Sequence, residues 1–209
     1  MNPNRSVGPA IEPISLAEAK QWLREDGTDQ DEIISILITG AREFVEEAIG
    51  KTLIQSTWIY TLDTWSDATV VRAAGQWPNW NTRSDGNIRL PYSPLISVTS
   101  VKYYDTAGTL QTLDAADYQV DTANVPGRIM PAVNRSWPDL QPDKAGAVII
   151  EYKGGYGTGP LNVPTTLRLA VLYLISLWYD ERKPIAFSIS SLGELPLMVS
   201  RLIGPPVYG

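Results

Sequence analysis

Val163 to Lys183 reads VPTTLRLAVLYLISLWYDERK, an apolar run with almost no polar back. Pro164 suits a first helical position, where its missing N–H would have no partner anyway. Leu167, Ala170, Val171, Leu174, Ile175 and Trp178 follow at helical period. Leu169, Leu172, Tyr173, Leu177 and Tyr179 fill most of the opposite surface. A surface helix keeps one polar side, so this one is predicted to be buried on several sides, by the rest of the chain or by a neighbouring subunit. Arg168 and Ser176 interrupt the run, which is well short of the roughly 20 residues a membrane span requires.

Two further helices are predicted upstream. Residues 1–13 are rich in Pro, Asn and Gly and read as an irregular arm. Ser15 then opens the first helix, with Glu18 placed to complete a capping box and Leu16, Ala19, Trp22 and Leu23 on one side. A turn at Asp26-Gly27 leads to acids at Asp29, Asp31 and Glu32, which suit the positive end of a second helix. Its apolar positions are Ile34, Leu37, Ile38, Ala41, Val45, Ala48 and Ile49, and Gly50 is its stop.

From about residue 52 the period becomes that of strands: Thr57–Leu62, Ile88–Leu90, Leu95–Tyr104, Thr109–Leu113, Asp117–Val120, Gly127–Met130 and Ala147–Tyr152. Many short strands between turn residues predict an antiparallel sandwich or small barrel. The fold class is therefore α+β: a small helical bundle made by the two ends of the chain, interrupted by a β-rich insertion. The expected division is an arm at 1–13, helical segments at 14–51 and 161–203, the insertion at 52–160, and a C-terminal arm at 204–209. Within it, 185–194 reads as a mobile loop and Pro196 opens a short last helix.

The 209 residues include no Cys and no His, which removes disulfides, thiolate nucleophiles, Ser–His pairs and the common zinc sites. Net charge is −6, so general attraction to nucleic acid is not expected, although an acidic wall can face DNA as a repelling surface. The N-terminus lacks the apolar core of a signal peptide, and the reading is of a soluble chain.

Candidate chemistry reduces to ordinary structure. Gly154-Gly155-Tyr156-Gly157-Thr158-Gly159 lies between a strand and a helix, but its GxGxG spacing and the absence of Gly-Lys-Ser/Thr fit a tight crossing better than a phosphate loop. Asp26, Asp29, Asp31 and Glu32 lack the Gly and the final Glu of a calcium loop. Asp63 and Asp67 flank Trp65 as a conceivable carboxylate pair, with nothing else to support it. Trp77 and Trp80 stand in a polar loop, where such rings serve as core, as subunit anchors or as a sugar-stacking platform. No catalytic, cofactor or metal residue is assigned. The alternative to an assembly protein is a carbohydrate-binding module built on Trp77 and Trp80.

An ordered set of motifs then takes shape. Leu90-Pro91-Tyr92-Ser93-Pro94-Leu95-Ile96-Ser97-Val98 runs into Val101-Lys102-Tyr103-Tyr104-Asp105 and Gly108. Asp117-Tyr118-Gln119-Val120-Asp121, Pro126-Gly127-Arg128-Ile129 and Trp137-Pro138 follow, then Gly155-Tyr156-Gly157, Val163-Pro164, Leu167-Arg168, Trp178-Tyr179, Leu195-Pro196 and Pro205-Pro206. This order resembles the head–tail connector (adaptor) proteins of long-tailed bacteriophages, in the larger variety with a β-rich insertion that also occurs in prophages and gene transfer agents. The resemblance implies a non-enzymatic virion protein of the neck, made in the host bacterial cytoplasm. It implies a ring of 12 copies beneath the portal protein, extending the DNA channel without binding DNA specifically. It further implies docking of a head–tail stopper, tail-terminator or other neck protein, with no cofactor and no membrane. Another neck or tail-completion protein is the neighbouring reading. The expected interface residues are Trp77, Trp80, Phe187, Leu202, Ile203, Pro205, Pro206 and Tyr208. Where the family leads one to expect Pro-Tyr-Arg, this chain ends Pro205-Pro206-Val207-Tyr208-Gly209.

Overall fold

A computed structural model describes residues 3–65 and 86–180. Three helices are present among them: α1 (Leu16–Leu23), α2 (Asp31–Ile49) and α3 (Thr165–Asp180). The strands are β1 (Asn4–Val7), β2 (Ser56–Leu62), β3 (Ile88–Arg89), β4 (Leu95–Tyr104), β5 (Leu110–Thr112), β6 (Tyr118–Asp121), β7 (Arg128–Pro131) and β8 (Val148–Gly154). They form one sheet ordered β1-β2-β8-β4-β5 and another ordered β3-β7-β6, with every strand pair antiparallel. The fold is α+β, as the sequence predicts.

The helices share one core. Ile34, Ile38, Ala41 and Val45 of α2 meet Leu167, Ala170, Val171, Leu174 and Ile175 of α3, with Ile14, Ala19, Leu53 and Ile54 around them. From Leu167 to Tyr179 no residue of α3 is fully exposed, so the chain itself covers most of this helix. Trp22 packs edge-on against Tyr173, and Phe44 edge-on against Trp178. The Tyr179 hydroxyl donates to Glu25 at the end of α1. The β strands enclose a second core in which Trp58, Tyr60 and Leu62 of β2, Val148, Ile150 and Tyr152 of β8, and Val101 of β4 meet Ile88 and Ile129 from the smaller sheet. Both β2 and β8 alternate buried and half-buried residues along their length, as strands with one face on a core do.

Three local readings are corrected. Part of the supposed irregular arm is strand β1, paired antiparallel to the edge of β2 in the register Arg5↔Trp58; backbone pairing at an open sheet edge overrides the arm's turn-rich composition. At α1 the Ser15 hydroxyl accepts from the Glu18 N–H at 3.2 Å, but the Glu18 carboxylate accepts from Arg168 of α3 at 2.6 Å. A charged partner from another helix thus takes the group expected to complete the capping box. At α3 the helix begins at Thr165, and the Pro164 carbonyl accepts from the Leu167 and Arg168 N–H groups. Gly50 ends α2 in a left-handed conformation, as expected.

Candidate assembly interface

Trp77, Trp80, Phe187, Leu202, Ile203, Pro205, Pro206 and Tyr208 all lie outside the described residues, as do Asp67, the 185–194 loop and the C-terminal arm. The described residues show how the helical frame and the sheets are held together, and which groups face outward.

Where frame and sheets meet, a buried ionic cluster joins them. Arg42 and Glu46, one turn apart on α2, are 3% and 2% exposed and pair at 2.9 Å. Arg42 also donates to Glu12 at 2.8 Å, and Thr39 donates to the other oxygen of that carboxylate. Burial works against the Arg42 charge, but the hydrogen bonds and negative charges of Glu12 and Glu46 outweigh it and hold the guanidinium firmly protonated. Glu46 in turn accepts from the Leu53 backbone N–H at 2.7 Å and from Arg5 of β1 at 2.6 Å. The Arg5 guanidinium lies over the Trp58 ring, 4.7 Å from its centroid, and Trp58 stacks on Tyr92 at 4.1 Å. One carboxylate thus ties the N-terminal strand, α2 and the entry to β2 together.

The glycine-rich crossing out of β8 is tightly built. Gly155 has φ +135°, and a Cβ there would lie 2.7 Å from the Gln55 backbone nitrogen. The Gln55 N–H donates to the Gly157 carbonyl at 2.8 Å, and the Gly159 N–H to the Asn162 side chain at 2.9 Å. The loop therefore locks the return of the chain to the helices and has the form of a joint.

The other candidate chemistries find structural roles. Asp63 accepts from the Gly146 N–H at 2.7 Å. Asp31 pairs with Lys20, and among the described residues no group of acids is placed to hold a metal ion. Tyr152, the most deeply buried phenol, donates to the Pro91 carbonyl at 2.7 Å, and burial pushes its pKa well above the usual tyrosine value. Among the described residues no helix is long and apolar enough to cross a membrane.

What faces outward is apolar in places. Ile33, Ile36 and Phe44 are exposed on α2, Trp22 on α1, and Val133 on the turn after β7. Ile33, Ile36 and Phe44 have helical spacing but fall outside the apolar face read from the sequence of that helix.

A helical frame thus carries a β block, and a buried ionic cluster joins the two. The family model for phage gp6-like head-tail connector proteins matches residues 13–124, and the chain belongs to that family. Membership gives it a structural connecting role. A chain from the neck of an empty GTA particle, computed with C6 symmetry, superimposes with a TM-score of 0.71 at 24% identity, over 97% of this chain and 93% of that one. A chain from the virion of a native gene transfer agent particle gives 0.71 at 22% identity, and one from a native GTA neck computed with C12 symmetry gives 0.68 at 22%, with the same coverage. No curated protein matches the sequence.

Proposed function

We propose that this chain is one subunit of a homo-oligomeric ring, of 12 copies, seated beneath the portal in the neck of a phage-like particle. Family membership over residues 13–124 carries the reading, and a fold shared with neck chains over nearly the whole length supports it. The ring extends the DNA channel and offers its far side to a stopper, tail-terminator or other neck protein, without catalysis. We divide the subunit into a helical frame (14–51 and 161–203), an insertion (52–160), an N-terminal segment (1–13) whose strand β1 pairs with β2, and a C-terminal arm (204–209). Leu202 and Ile203 at the end of the frame and Pro205, Pro206 and Tyr208 of the C-terminal arm reach the portal, with Phe187, Trp77 and Trp80 at further subunit contacts.

Light scattering on the full chain, alone and mixed with purified portal, tests this. A complex of portal with many copies of the chain is expected. Deleting 204–209 is expected to leave the circular dichroism and thermal midpoint unchanged while abolishing that complex. Failure of the full chain to associate with portal, or normal tailed particles built with the truncated one, would overturn the assignment.

A further inference from the structure

Helix α2 carries two apolar stripes. Ile34, Ile38, Ala41 and Val45 pack into the helical core. About 100° round the helix, Ile33, Ile36, Gly40 and Phe44 line a second stripe, of which Ile36 is 65% and Phe44 39% exposed, the Phe44 ring resting edge-on against Trp178. Glu32, Glu43 and Glu47 border it on the side away from the core and are exposed, Glu43 also accepting from Arg42 at 3.2 Å.

Gly40 is the informative residue. A glycine inside a helix destabilises it relative to alanine, so its presence asks for a reason. Packing within the chain does not supply one: a Cβ at Gly40 would sit 3.5 Å from the Trp178 ring, an ordinary contact. The missing side chain instead leaves a notch in the exposed stripe between Ile36 and Phe44.

A head-to-tail ring needs a second, different patch on the same chain to fill the first. The turn after β7 has the matching shape and charge. The Arg135 N–H donates to the Ala132 carbonyl at 2.9 Å and Asn134 has φ +61°, so Val133 is held at the tip of a closed turn, 77% exposed. Arg135 stands beside it, its guanidinium 3.3 Å from Asp117 and otherwise open to solvent. A rigid apolar knob next to a cation complements an apolar notch bordered by three carboxylates.

We propose that the outer face of α2 at Ile33, Ile36, Gly40 and Phe44 receives the Val133–Arg135 turn of a neighbouring copy of this chain. The inference rests on the ring reading and names its contact. The absence of cysteine makes it directly testable. Particles assembled with the full chain carrying both Ile36→Cys and Val133→Cys are oxidised and run on a non-reducing gel. A ladder of covalent multimers is expected from the double variant and none from either single variant. Gly40→Ala, which fills the notch, is expected to keep or raise the thermal midpoint of the isolated chain yet lose the ring from the neck. Several results overturn the contact alone: a ring present in the neck with no ladder, dimers from Ile36→Cys by itself, Ile36→Cys captured by portal or another neck protein, or normal rings from Gly40→Ala. Absence of the unmodified chain from necks overturns the ring reading itself.

Discussion

Glu46 shows how much of this fold hangs on a side chain the sequence does not single out. Arg42 and Glu46 have the spacing of an ordinary solvent-exposed helical pair, worth a few tenths of a kcal/mol. Here they are buried, and Glu46 also receives Arg5 and the Leu53 N–H. Breaking a buried pair by removing one partner leaves an uncompensated charge and costs about 3–5 kcal/mol. Glu46→Ala is therefore expected to lower the unfolding free energy by about that amount in urea titrations. A loss below about 1 kcal/mol would show that Glu12 and water alone satisfy Arg42. The Arg5 contact was illegible because it depends on β1, and β1 is set by the free edge of β2, fifty residues further along the chain.

Among elements, the glycine crossing gives the sharpest contrast. Gly155 and Gly159 belong to one motif, but only Gly155 combines a positive φ with backbone atoms closer than any real Cβ tolerates. Gly155→Ala should destabilise by about 1–3 kcal/mol, whereas Gly159→Ala, at φ −118° and 3.2 Å from a side-chain oxygen, should stay within about 0.5 kcal/mol. Thermal melts of the two variants check this, and equal losses would refute the account. The element types themselves were legible. Alternation over 57–62, β-branched residues over 95–104 and helical period in α2 and α3 all pointed to the structures found, because the strands and α2 set one face on a core and α3 is covered on several sides. The outer stripe of α2 was not: where two apolar stripes lie side by side, period alone does not say which turns inward. Trp77, Trp80 and the C-terminal residues, the interface expected from sequence, fall outside the described residues and stay part of the proposal.

At the scale of the molecule, charge is unevenly shared. Residues 3–51 carry ten acidic side chains against five basic ones, close to the whole net charge of −6. Duplex DNA attracts proteins chiefly through phosphate neutralisation, so this chain is expected to leave the mobility of duplex DNA unchanged at about 0.15 M salt. A salt-sensitive shift in gel mobility would contradict a channel through which DNA slides freely. The family resemblance was legible at this scale because it is carried by the order of many weak motifs along the chain. The contacts of the proposed ring stay part of the proposal, since a heterologous interface brings together residues that no single copy holds near one another. One pairing has a consequence for changes of chain length. Ser56 faces Gly154 across adjacent strands, so the chain enters and leaves this part of the sheet on neighbouring strands about 4.8 Å apart. Changes of length deep within 57–153 therefore need not move the two ends of the block, provided β1 keeps its pairing with β2.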